Sequence, residues 1–147
     1  MSLFSTNRVL FPTDFSELAS TAQEETLDFV KDPAHLYIIH VLSPLSPLEP
    51  GVLWDKLDDE TRRQNVEQTF RDKFDAAKYE GVNFDVLFGK VSKQIVDYAK
   101  DKDIELIVIP AHGNDNLEHF ILGSVTERVV RLAHCPVYVW RSRSVDR

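Results

Sequence analysis

The chain has 147 residues, 43% apolar and 28% charged, which is enough for one globular domain with a true core. A net charge of −7 argues against a nucleic-acid surface, which needs clustered Lys and Arg, but leaves room for a local anion pocket built from backbone N–H groups. Cys135 is the single cysteine, so an intrachain disulfide and a thiolate metal cluster are excluded.

The first predicted element is a strand, Arg8 to Pro12, ended by Pro12-Thr13-Asp14. A helix follows, with Phe15, Leu18, Ala19, Ala22, Thr26, Phe29 and Val30 on one face and Asp32-Pro33 as its stop. Leu36 to Val41 is apolar almost throughout, as expected of a strand covered on both faces of a parallel sheet. The stretch from Leu42 to Lys56 carries Pro44, Pro47, Pro50 and Gly51 and reads as a long loop. Asp58-Asp59-Glu60 suits a helix start, Val66, Phe70, Phe74 and Ala77 mark its buried face, and Gly81 is its expected end. Val82 to Phe88 is a third strand closed by Gly89, and Ser92, Ile95, Val96, Ala99 and Ile104 outline a third helix and its exit. Leu106 to Pro110 is the fourth strand, Val125 to Ala133 the fourth helix and Pro136 to Trp140 the last strand, with 142–147 as a polar tail. Strict β-α alternation predicts an α/β sandwich of three layers around a five-stranded parallel sheet, in one domain spanning 1–147. Met1 to Asn7 is short and polar and no run reaches membrane length, so a cytoplasmic protein is expected.

Ligands of open parallel sheets sit beyond the carboxyl ends of the strands, where the strand order reverses. Two turns qualify. One is Thr13-Asp14 after the first strand; the other runs from Gly113, across nine residues, to Gly123-Ser124-Val125-Thr126 after the fourth. Glycine allows close approach of a bulky anion, and the N–H groups of a helix start, with the Ser124 and Thr126 hydroxyls, suit a phosphate chain. Each turn has a plainer reading. Ser124-x-x-Glu127 fits a capping box, and Asp14 with Glu17 fits a helix cap as well as it fits an acceptor for ribose or adenine hydrogens. Val41 is either core or the wall of a base pocket. His112, His119 and His134 have no partners at metal-ligand spacing, and Cys135, between His134 and Pro136, reads as a packed residue. Signatures of P-loop ATPases, dinucleotide-binding domains, α/β-hydrolase elbows and phospho-receiver domains are all absent.

From about Arg8 to Arg141 the chain resembles the universal stress protein family. The resemblance is carried by Val9-Leu10-Phe11-Pro12-Thr13-Asp14-Phe15-Ser16, by His112-Gly113, nine residues, Gly123-Ser124-Val125-Thr126-Glu127-Arg128-Val129, and by Cys135-Pro136-Val137. It implies a Rossmann-like sheet of the adenine nucleotide alpha hydrolase type, with strand order 3-2-1-4-5, and a homodimer. In the ATP-binding branch the resemblance assigns adenine and ribose to Pro12, Thr13, Asp14 and Val41, the pocket lining to Ile109, and the phosphates to Gly113, Gly123, Ser124, Val125 and Thr126.

One position departs from that branch, whose signature is Gly-x-x-Gly-x9-Gly-Ser/Thr. Pro110 stands where the first glycine belongs, and proline lacks an N–H and adds bulk. A lost hydrogen bond there costs about 1 kcal/mol, and a clash would cost more. The expectation is a stress sensor or regulator that binds ATP, ADP or AMP, with Mg²⁺ carried by the phosphates. No placed general base favours more than slow ATP hydrolysis or phosphoryl transfer. The alternative is a stress protein whose pocket is blocked by Pro110 and which acts through protein–protein contacts. The last strand, Pro136 to Trp140, is apolar on both faces at an expected sheet edge, which invites pairing of two copies.

Overall fold

Nine elements alternate in a computed structural model that describes residues 7–43, 58–111 and 123–142. They are β1 (Val9–Pro12), α1 (Glu17–Val30), β2 (Leu36–Leu42), α2 (Asp59–Lys73), β3 (Asn83–Phe88), α3 (Val91–Asp101), β4 (Leu106–Pro110), α4 (Ser124–Leu132) and β5 (Val137–Trp140). All the pairings are parallel, and the sheet order is β3-β2-β1-β4-β5, as expected. The reading of Leu42 to Lys56 as a loop falls largely outside the described residues, as do Gly113, His112, His119 and 143–147. Among the described residues no helix is long and apolar enough to cross a membrane.

Apolar runs in the central strands follow from burial on both faces. Val9, Phe11, Ile38 and Val108 face a core completed by Ala22 and Val30 of α1 and Phe70 of α2. Leu10, Ile39, Ile107 and Ile109 face the other, completed by Ile95 and Ala99 of α3 and Val129 of α4. Cys135 packs at the margin of this second core, and burial pushes its thiol up to about 11, so it is protonated at neutral pH. That agrees with the packed-residue reading and leaves it a poor nucleophile.

Three expectations need correction. Phe29, placed on the buried face of α1 by its spacing, is 44% exposed, because α1 covers the sheet with Ala22, Thr26 and Val30 instead. The second helix stops at Lys73 rather than running to Gly81. Phe74 leaves helical geometry and lays its ring against Phe70 and Tyr79, at centroid distances of 5.2 and 5.0 Å. Ala77 then opens a separate 3-10 turn, Ala77–Tyr79, and is exposed, so Tyr79 fills the core position expected of it.

The two margins of the sheet differ. At β3, Arg63 of α2 donates to the carbonyl of Val86 at 2.9 Å and lies 5.1 Å over the Phe88 ring. At β5, Tyr138 is 55% exposed, and a groove of about 440 Å³ lies between it, Phe29 and Trp140.

Gln23 lies wholly buried on α1, where its Nε2 donates to Tyr79 Oη at 3.0 Å and Tyr79 in turn donates to Glu24. Burial raises the Tyr79 hydroxyl well above its usual range, so it stays a donor. Gln23 Oε1 has no partner. Tyr79→Phe strands the Gln23 amide and is expected to cost about 1–3 kcal/mol. Adding Gln23→Leu should recover most of that loss, because both polar partners are then gone. Urea denaturation of the two single variants and the double variant checks both statements.

Candidate functional site

The site arises from a parting of two strands. β1 follows β2 in register up to Pro12↔Ile39, and Thr13 N–H continues the ladder to Ile39 O at 2.8 Å. Between β1 and β4, pairing ends earlier, at Leu10↔Ile107. Beyond that pair β4 turns to β5, where Ala111 N–H donates to Trp140 O at 2.7 Å. The widening gap is a cavity of about 250 Å³ at the carboxyl ends of the strands, just under the range usual for small-molecule sites.

The turn after β1 forms one wall, and four interactions set its shape. Thr13 Oγ1 accepts from Phe15 N–H at 3.0 Å, and Asp14 Oδ1 accepts from Ser16 N–H at 2.9 Å. These short side-chain closures stabilise a tight turn. The His40 ring donates from Nδ1 to Thr13 O at 2.7 Å, which leaves Nε2 as the acceptor in the neutral ring. Lys73 donates to Phe15 O at 2.9 Å. Held in this way, Phe15 adopts φ +63°, which is uncommon for a bulky residue, and its ring rests 5.0 Å from His40.

Ser16, not Asp14, caps α1: its hydroxyl accepts from Ala19 N–H at 3.1 Å. The helix-cap reading of Asp14 is therefore corrected. Its carboxylate braces the turn through one oxygen and is exposed at the cavity lip.

The opposite wall comes from β4 and α4. Ile109, Pro110 and Ala111 end the strand there, and Val125 and Thr126 open the helix. The capping box expected of Ser124 and Glu127 does not form. Gly123 occupies the cap position without a side-chain bond, and Ser124 is the first helical residue. The first-turn N–H groups of α4 thus keep their donor capacity, with the positive end of the helix dipole behind them.

Of the ten residues singled out in the sequence, Pro12, Thr13, Asp14, Val41, Ile109, Val125 and Thr126 line this one cavity. Gly123 sits at the helix start beside it, Ser124 lines a neighbouring depression, and Gly113 lies outside the described residues. Pro110 forms part of the wall. Pattern reading missed His40, Val91 and Ile95. His40 was within reach of the sequence: it is the one polar residue in the apolar run Leu36 to Leu42. Val91 and Ile95 belong to α3 and reach the cavity only through its packing beside α4.

The model of the universal stress protein family matches residues 5–141. The chain belongs to the universal stress protein family. It is 32% identical to universal stress protein MJ0531 of Methanocaldococcus jannaschii over 90% of this chain and 80% of that one. Among solved structures, it superposes on universal stress protein UspA from Lactobacillus plantarum with a TM-score of 0.67, at 27% identity, covering 92% of this chain and 99% of that one. A universal stress protein solved in complex with cAMP shares the fold at a TM-score of 0.60 and 19% identity, covering 90% of this chain and 94% of that one.

The turn geometry separates structural from ligand-facing roles. Thr13→Val removes the acceptor that holds Phe15 N–H and is expected to destabilise by about 1–2 kcal/mol. Asp14→Asn keeps an oxygen for Ser16 N–H and should stay within about 0.5 kcal/mol of the parent. Guanidinium denaturation of both variants measures the contrast.

Proposed function

We propose that the cavity between β1 and β4 binds an adenine nucleotide, and that this universal stress protein acts in the cytoplasm as a nucleotide-dependent sensor or regulator. The observation that carries this reading is the cavity itself. The turn after β1, with Pro12, Thr13 and Asp14, and the first turn of α4, with Val125 and Thr126, are far apart in sequence and line one space.

Adenine and ribose fit the apolar end at Pro12, Val41 and Ile109, with Thr13 and Asp14 at hydrogen-bonding positions. In this reading the phosphates lie at the α4 start, at Gly123, Ser124, Val125 and Thr126, and carry Mg²⁺ with them; the resemblance adds Gly113, which lies outside the described residues. A relative of this fold holds cAMP, itself an adenine nucleotide. At most slow hydrolysis or phosphoryl transfer is expected of this protein.

Calorimetry on nucleotide-stripped protein tests this. ATP or AMP should bind saturably, and Asp14→Ala should weaken both about tenfold by removing a charged acceptor. Silence with ATP, ADP and AMP ends the proposal.

Pro110 favours a second reading, in which the pocket stays empty and the protein works through its surface. Its ring lines the cavity wall and offers no N–H. If the parent is silent and Pro110→Gly binds ATP, this second reading holds.

The same proposal includes a homodimer joined through Pro136 to Trp140. β5 ends the sheet, Tyr138 on it is exposed, and an apolar edge left open among the described residues favours pairing. Light scattering should report a dimer for the parent and a monomer for Tyr138→Lys. A variant that remains dimeric counts against this interface.

A further inference from the structure

Phe15 stands apart within the turn after β1. Pro12, Thr13, Asp14 and Ser16 all line the cavity, and Phe15 between them does not. Its ring lies instead against His40 and Phe84, at centroid distances of 5.0 and 6.5 Å. Phe84 of β3 in turn stacks on Phe70 of α2, at 4.1 Å with 10° between the ring planes. Phe15, Phe84 and Phe70 thus form a row of rings from the turn to α2.

α2 reaches the same residue by a second route. Lys73, in its last turn, donates from Nζ to Phe15 O at 2.9 Å. One residue, at a φ of +63° that is uncommon for its type, is therefore tied to α2 through both its ring and its carbonyl. Both side-chain closures of the turn flank it: Phe15 N–H donates to Thr13 Oγ1 and Ser16 N–H to Asp14 Oδ1. A Phe15 backbone that relaxed to negative φ would break this geometry and shift Asp14 at the cavity lip. α2 itself is lightly held. Of its fifteen residues Phe70 alone is buried. A helix with so little buried surface opens at a lower cost than the sheet it covers.

We propose that α2 sets the shape of the β1 wall from outside the cavity, with Lys73 as a positioning residue that acts through Phe15. The proposal rests on the nucleotide reading above and adds regulation to it: docking of α2 and filling of the cavity favour each other, and lifting α2 from the sheet releases the ligand. Lys73 and Phe70 do not line the cavity, so the coupling runs through Phe15. It is reciprocal by linkage, and a ligand that prefers the braced turn stabilises the docked helix by the same factor.

The test uses the full chain, stripped of nucleotide, with ATP and AMP as probes. It reads nucleotide affinity by calorimetry and, in the free protein, amide exchange at Phe15 and Ser16 by NMR. Lys73→Met keeps the aliphatic stem and removes the donor. It should weaken both nucleotides by about three- to tenfold and speed exchange at Phe15 and Ser16 by a similar factor, with Val9, Leu10 and Phe11 unchanged. Lys73→Arg returns a donor and should restore both readouts. Arg71→Met removes equal charge from the same turn of α2, where Arg71 donates to Gln68, and should change neither. Saturating AMP should slow exchange in the parent from Phe70 to Lys73.

Where the parent binds nucleotide, a Lys73→Met variant that leaves either affinity or turn exchange unchanged overturns the proposal. So does a loss that Lys73→Arg fails to restore, a loss that Arg71→Met reproduces, or AMP that leaves α2 exchange as it was. If neither ATP nor AMP binds the parent, the nucleotide reading falls and exchange alone decides the brace. Faster exchange at Phe15 and Ser16 in Lys73→Met, reversed in Lys73→Arg, then leaves α2 as the element that shapes the turn, and unchanged exchange ends that role too.

Discussion

The functional geometry of this protein depends on where β1 and β4 stop pairing. Their last matched residues are Leu10 and Ile107, while β1 stays with β2 as far as Pro12 and Ile39. A central strand in a parallel sheet has all its ladder positions satisfied, so a cavity can open only where the ladder ends. Here one side of β1 ends early and the other runs on. Thr13 is thereby held on the β2 side, and the space opens on the β4 side alone. Both walls inherit their positions from this asymmetry. Rigid, fully buried strands carry them: Val9, Leu10, Phe11, Ile38, Ile39 and Ile107 are all completely inaccessible to solvent.

Most of this architecture was legible in the sequence because periodicity and burial agree in the central strands. Runs such as Leu36 to Leu42 and Leu106 to Pro110 cannot be satisfied with one covered face, which is why they announce a sandwiched sheet. Legibility failed where a side chain had two apolar environments to choose between. Phe29 keeps helical spacing with Thr26 and Val30, yet it faces the open groove beyond α1. Phe74 has the spacing of a helical residue after Phe70, but ring packing on Phe70 and Tyr79 outweighs another turn of α2. At the site, capping was misread for a related reason. Asp14, Ser16, Gly123 and Ser124 are all acceptable caps by type, and only the path of the chain decides among them.

The turn after β1 shows how a site obtains rigidity without a large core of its own. Thr13, Asp14, His40 and Lys73 each supply one hydrogen bond to it, drawn from the turn itself, from β2 and from α2. Together they hold Phe15 in a left-handed backbone conformation that a phenylalanine would not choose alone. The opposite wall is built on another principle. The α4 start is left without a side-chain cap, so its donors face outward. One wall is thus braced by its own hydrogen bonds, and the other presents the N–H groups of a helix start.

The unequal margins of the sheet govern what kinds of assembly this fold permits. Arg63 reaches from α2 to the Val86 carbonyl and stacks over Phe88, occupying the β3 rim with a charged side chain, whereas β5 has no such guard among the described residues. Strand-to-strand growth needs two receptive rims on every copy if it is to continue. With Arg63 laid on the β3 rim, the described residues leave that route open at β5 alone, so strand addition there has one direction and no second rim from which to continue.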